Sequence, residues 1–212
     1  SANPQSSTVS CADHVDTGAT PCLVYLCSES FTDPACVSMV ARSQRPFVLV
    51  SGDSDLTMPR DVPAAAVDAV LSNPALKHWF CQNWAGGRHP KVTPLPIGLD
   101  YHTLHTHVRH PWGPQSTPSA QETQLPDLWR HSVPTKQRVL KCYANFTLCA
   151  AAFAQDRVDA LTQIPPHLMH VELARVPRLE CWRRQVQYAF VVSPHGNGLD
   201  CHRTWEALCL GC

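Results

Sequence analysis

The chain has 212 residues, with 17 Lys plus Arg against 17 Asp plus Glu, 12 His and 11 Cys. That length can bury one domain of ordinary size or two small ones. The even balance of charge excludes the basic field that wraps nucleic acid, and no stretch reaches the ~20 apolar residues needed to span a bilayer, so no membrane anchor is expected within these residues.

Residues 1–20 are rich in Ser, Thr, Ala and Asp with no apolar period, so they read as a mobile arm. The run Pro21–Leu26 (PCLVYL) follows, and then Arg45–Val50 (RPFVLV), which breaks into Gly52-Asp53-Ser54-Asp55. Continuous apolar runs of this kind predict strands buried on both faces, as in a parallel sheet. A helix is expected over 62–71. Residues 77–83 read as a further strand or a helix end, and 92–99 as extended, because paired prolines exclude helix. From 105 to 135 the sequence is polar and proline-rich, the signature of a linker, with a short helical patch at 120–130.

Beyond it the alternation is cleaner. Strand is expected at 138–144, helix at 150–164, strand at 168–173, helix at 178–188, strand at 190–192, and a last helix starting near Asp200 as its N-cap. Strands alternating with helices of about 10–15 residues point to βαβ units and parallel sheets. The fold expected is α/β with two Rossmann-like lobes: a first at 21–104, a linker at 105–135, and a second at 136–212.

Polar chemistry concentrates at the end of the chain, in FVVSPHGNGLDCHRTWEALCLGC. A strand, a Gly-rich turn and a helix aim backbone N–H groups and a helix N-terminus at an anion, typically a phosphate. Gly196 and Gly198 allow close approach and positive φ. Helical spacing puts Cys201, Trp205, Leu208 and Cys212 on a core-facing side and leaves Arg203 and Glu206 on a working side. The plain alternative is a solvated polar face with a local His202–Glu206 pair.

Two other clusters stand out. Asp53-Ser54-Asp55 at a strand end is the triplet that holds a divalent metal on a diphosphate, or equally a turn or helix cap. The stretch from Asp100 to His110 holds four histidines. His102 suits a base that deprotonates a hydroxyl; the plain reading is a polar loop. Near the N-terminus Cys11, Cys22, Cys27 and Cys36 are placed where bridges could form. The triplet Asn145-Phe146-Thr147 is a glycosylation sequon, and it leans the location toward a secretory or Golgi lumen over the cytosol.

The final 23 residues resemble the C-terminal motif of exostosin-like glycosyltransferases, in which a strand, a Pro-x-Gly turn and an Asp-x-x-Arg-x-Trp-Glu-Ala-Leu helix form a nucleotide-sugar site. HPKVTPLPIGLDYHTL and FVLVSGDSDLTMP are similar to further blocks of that group. The resemblance implies a GT-B architecture and transfer of a sugar from a UDP- or GDP-sugar to a hydroxyl of a glycan or glycoprotein, inverting and without a required metal. It implies Glu206 on the ribose, Arg203 and the backbone of His195, Gly196, Asn197 and Gly198 on the diphosphate, and Asn145, Ser193, Asp200 and His202 at or near the same site. Asp53, Asp55 and His102 are then the acceptor-side candidates for catalysis. Under the alternatives, Asp53 and Asp55 hold a divalent metal in a GT-A-type enzyme, or the chain is a binding module without turnover. The family continues past the Gly-Cys pair, so a second lobe ending at Cys212 is expected to be incomplete.

Overall fold

The computed structural model describes residues 8–10, 21–148 and 153–212. The chain divides into two compact units: residues up to Ile97 with Gly198–Asp200, and Gly98–Asn197 with Cys201–Cys212.

The first unit is built on one sheet. Its strands are β1 (Thr8–Ser10), β2 (Cys22–Cys27), β3 (Phe47–Gly52), β4 (Leu76–Gln82) and β5 (Val92–Leu95), ordered as they occur in the chain. β2 to β5 run parallel, and β1 pairs antiparallel with β2. The expected mobile arm therefore supplies an edge strand at Thr8–Ser10; the rest of it lies outside the described residues. Helices α1 (Pro34–Ala41) and α2 (Ala64–Leu71) connect β2 to β3 and β3 to β4. Asp33 caps α1 by accepting from the Ala35 N–H, with Pro34 at the first turn.

Phe47, Leu49 and Trp79 face the helices and are fully buried. Trp79 stacks on Phe31 at 5.1 Å and donates from Nε1 to Ser51 Oγ at 2.9 Å, so its polar edge is satisfied inside the core. Asn73 ties the two connections together: its amide donates to the carbonyls of Val40, Ala41 and Ser43 and accepts from the Ala75 N–H. The strands are not buried on both faces as their apolar runs suggest. Winding always in one direction keeps right-handed crossovers on one side of a sheet, and the alternate residues Leu23 and Phe80 remain exposed.

The second unit holds a three-stranded parallel sheet of β8 (Val139–Ala144), β9 (Met169–Val171) and β10 (Tyr188–Val191), in the order β10-β8-β9. Before it come α3 (His102–Thr106), a small hairpin of β6 (Arg109–His110) and β7 (Gly113–Pro114), and α4 (Pro118–His131). The expected linker at 105–135 is thus part of this unit. Thr117 caps α4 with Pro118 at its first position, and α4 buries Leu125 against Trp182 of α6 (Arg178–Gln185), against Val186 just past its end and against Leu210. Proline density there marks a helix start, not a flexible join.

Helix α5 (Ala154–Gln163) lies between β8 and β9, and α6 between β9 and β10. Residues 150–152, expected at the start of α5, lie outside the described residues. The last helix, α7 (His202–Cys209), has Cys201 and not Asp200 at its N-cap position. It ends with Gly211 at φ 72°, the left-handed cap that glycine tolerates best. The buried Arg138 donates to the carbonyls of Leu210 and Gly211 at 3.0 and 2.9 Å, placing a cation on the negative end of α7.

Candidate functional site

In the second unit the chain leaves β8, passes through α5 to β9 on one side, and then returns through α6 to β10 on the other. The direction of winding reverses between β8 and β10. At such a reversal the loops from adjacent strands diverge and open a crevice at their carboxyl ends, the usual ligand position in open α/β sheets.

Arg203 of α7 occupies this place. Its Nε donates to Asn145 Oδ1 at 3.1 Å, just past the end of β8, and one Nη donates to the Pro194 carbonyl at 3.2 Å, just past the end of β10. The guanidinium also lies 5.6 Å from the Phe146 ring centroid. Asn145 in turn donates to the buried Cys181 sulfur. Ser193 and Thr204 share a hydroxyl bond at 2.7 Å, joining the β10 loop to α7. The structure therefore gathers Asn145, Ser193 and Arg203. The sequon asparagine thus uses both ends of its amide, Oδ1 toward Arg203 and Nδ2 toward Cys181.

The β10 turn is fastened from α5 by residues that the sequence pattern did not mark. Asp156 accepts from the His195 N–H at 2.8 Å and lies 3.0 Å from its Nδ1. The His195 backbone amide, expected to face a diphosphate, is thereby engaged within the protein. These bonds hold the Asp156 carboxyl below the ordinary carboxylate range. The His195 ring stacks on Phe153 at 4.7 Å, and the buried Arg157 donates to the carbonyls of His195 and Thr147 at 3.1 and 2.7 Å. Arg157 thus links the loops that follow β10 and β8. An Asp-Arg pair on an amphipathic helix gives no signal of such a role in sequence. Gly196 has no positive φ, and Asn197 is exposed.

No family model matches the chain, and no curated protein matches it.

Glu206 lies on the buried side of α7, while Leu208 is 59% exposed, so the expected core and working sides are exchanged at these positions. The cause is a polar partner that a helical wheel cannot contain: Arg178 of α6, whose Nε is 3.7 Å from Glu206 Oε1. Arg178 is itself buried. It donates to Asp100 Oδ2 at 2.8 Å, to the Asp100 carbonyl and to Gln121 Oε1 at 3.3 Å, and it stacks over Trp112 at 4.2 Å. Burial pushes Glu206 up, against the opposing pull of Arg178, Trp182, His202 and Arg203. Burial also acts to raise Asp100, but hydrogen bonds from Thr103 and Arg178 prevail and hold it at about 2.

His102 belongs to this unit. Its Nδ1 is 3.0 Å from Asp100 Oδ1, its ring is open to solvent, and it stands 6.4 Å from the ring of His202, whose Nδ1 lies 2.8 Å from the Gly98 carbonyl. A histidine held by a buried carboxylate is a competent proton acceptor.

Four expected site residues, Asp53, Asp55, Gly198 and Asp200, lie in the first unit. Asp53, at φ 55°, and Asp55 are exposed at the end of β3. The Asp53 carbonyl accepts from Cys27 Sγ at 3.4 Å, and burial together with Asp53 and Cys27 pushes Tyr25 up to about 12. Gly198 is required by proximity: a Cβ there would meet Asn83 Nδ2 at 2.9 Å and the Asp55 carbonyl at 3.0 Å. Asp200 donates its N–H to Asn83 Oδ1 at 2.9 Å, and its carboxylate accepts from the Ile97 N–H at 2.8 Å. Asp200 therefore fastens loops of the first unit instead of capping α7. Among the described residues, no three His, Cys, Asp or Glu side chains come together as a metal-binding group. No helix among them is long and apolar enough to cross a membrane.

Proposed function

We propose that the second unit binds the nucleotide end of a nucleotide sugar, and that the protein is an exostosin-like glycosyltransferase with a GT-B arrangement acting on a glycan or glycoprotein hydroxyl. The observation that carries this reading is Arg203, held between Asn145 and the Pro194 carbonyl at the reversal of strand order. A preorganised guanidinium at a switch-point crevice suits a diphosphate by charge and by its planar fork. The resemblance of the last 23 residues to a nucleotide-sugar motif supports the same ligand independently.

In the reaction proposed, an acceptor oxygen bonds to the anomeric carbon while the bond from that carbon to the diphosphate breaks. The diphosphate leaves with the electron pair, and Arg203 stabilises its charge without a metal. His102, oriented by Asp100, takes the hydroxyl proton. Glu206, buried beside Arg178 on the core side of α7, is not assigned to the ribose hydroxyls. Gly198 and Asp200, engaged by Asn83, Asp55 and Ile97, have no part in this site.

Calorimetric titration of the whole chain with UDP, GDP and their sugars tests the proposal. Wild type is expected to bind one nucleotide, with at least a tenfold loss in Arg203→Ala, the scale of a hydrogen bond to a charged group. Chelator is expected to have no effect; binding that chelator abolishes would favour a divalent cation on Asp53 and Asp55. The proposal fails if no nucleotide binds or if Arg203→Ala binds as wild type does.

A further inference from the structure

We infer that the first unit carries a saccharide-binding cleft for a negatively charged pyranose, formed by the connection from β4 to β5. The cleft measures about 590 Å³ and is lined by Trp84, Arg88, His89, Pro90, Val92 and Pro94, among others. That volume falls in the ordinary range for small-ligand sites, about 300–1,000 Å³. This site goes beyond the nucleotide reading and stands on residues of the first unit alone.

Its platform is Trp84. The indole packs edge-on to Trp79 at 5.7 Å and donates from Nε1 to the Gly87 carbonyl at 2.8 Å. Gly86 lies so close beneath it that a Cβ would meet the ring at 2.5 Å and Pro59 at 3.0 Å. The ring is fixed before any ligand arrives, so little side-chain entropy is lost on stacking. Because Nε1–H is spent on Gly87, Trp84 offers its apolar surface and no donor. Aromatic grooves that take proline-rich peptides also hydrogen-bond the peptide backbone, so the spent donor disfavours that occupant. The apolar C–H face of a sugar ring needs only the surface.

Charge selects further. Arg88 is exposed, and among the described residues no carboxylate lines the cleft and none pairs with Arg88. His89 Nδ1 accepts from the Lys91 N–H at 3.1 Å, which leaves Nε2 as the protonated, donating nitrogen of the neutral ring. A platform, one free guanidinium fork and one imidazole donor together match a pyranose with a carboxylate, the group that Arg binds through two parallel bonds.

The test uses the whole chain, ¹⁵N-labelled, titrated with a tetramer of galacturonic acid, with the same tetramer after carboxyl reduction, and with a proline-rich decapeptide. The acidic tetramer is expected to shift the signals of Trp84, Arg88 and His89 and to bind at least fivefold more tightly than its reduced form. Arg88→Gln, an exposed substitution, is expected to abolish that preference. Trp84→Phe is expected to weaken both sugars, with thermal melting as a check that the fold is kept. Arg203→Ala is expected to leave sugar binding unchanged, so failure here is separate from failure of the nucleotide site. The inference is overturned if neither sugar binds, if the reduced tetramer binds as well as the acidic one, if Arg88→Gln keeps the preference, or if only the peptide shifts these signals.

Discussion

Replacing Arg178 by Leu removes the cation shared by two buried carboxylates. Asp100 and Glu206 have side chains only 2% and 10% exposed, so neither regains full hydration when the guanidinium is gone. Three hydrogen bonds and the stack on Trp112 are lost with it. The new apolar side chain returns at most about 2 kcal/mol. Breaking one partner of a buried ion pair typically costs about 3–5 kcal/mol, a large part of the roughly 5–15 kcal/mol that a domain has. In urea, followed by tryptophan fluorescence at pH 7, the midpoint for the second unit is expected to fall by about 2 M for a slope near 2 kcal/mol/M. The triple variant that adds Asp100→Asn and Glu206→Gln is expected to recover much of this loss. The acid limb gives an independent check. Asp100 sits at about 2 when folded, below its unfolded value, so its contribution is full above about pH 4 and disappears as pH falls toward 2. Glu206 is raised by burial and acts with the opposite sign: its protonation favours the folded state as pH falls through its raised value. Arg178→Leu is expected to flatten the Asp100 limb. A loss below 1 kcal/mol with an unchanged acid limb would refute the reasoning.

Two further substitutions probe the packing. Leu210→Ala is expected to cost about 2–5 kcal/mol as a core truncation, while Leu208→Ser, on the exposed side of α7, is expected to stay within about 0.5 kcal/mol; chemical denaturation of the pair distinguishes the observed helix orientation from the one its apolar pattern suggests. Gly198→Ala is expected to destabilise the first unit by about 1–3 kcal/mol through overpacking, because the new methyl meets backbone at Asp55; hydrogen exchange at the Asp200 amide is the sensitive readout, and unchanged protection there would count against the contact.

Much of the fold was legible because it rests on local patterns. The apolar runs around β2, β3 and β8 give those strands to within a residue or two, since β-branched and aromatic residues between turn signals have few other uses. Alternation then implies parallel pairing, and the two sheets have it. The errors have a common origin in long-range partners. Proline content suggested a linker at 105–135, although the helical patch expected at 120–130 lies within α4 and Thr117-Pro118 is a helix-start signal in its own right. The orientation of α7 depends on where Arg178 lies, and Asp200 was drawn from capping to Ile97 and Asn83, more than a hundred residues away. Of the candidate site, the motif made Arg203, Asn145 and Ser193 visible. Asp156 and Arg157, which fasten the β10 turn, carry no pattern of their own because their partners are backbone atoms of a distant loop.

The tether at Gly198–Asp200 also has a temporal side. β2 to β5 are contiguous in the chain and pair with their neighbours in order, so they can form as soon as they emerge from a ribosome. Asn83, held at φ 55°, and the Ile97 amide must wait for Asp200. During synthesis the first unit is therefore a nearly finished body whose last fastener arrives only after more than a hundred further residues have been added.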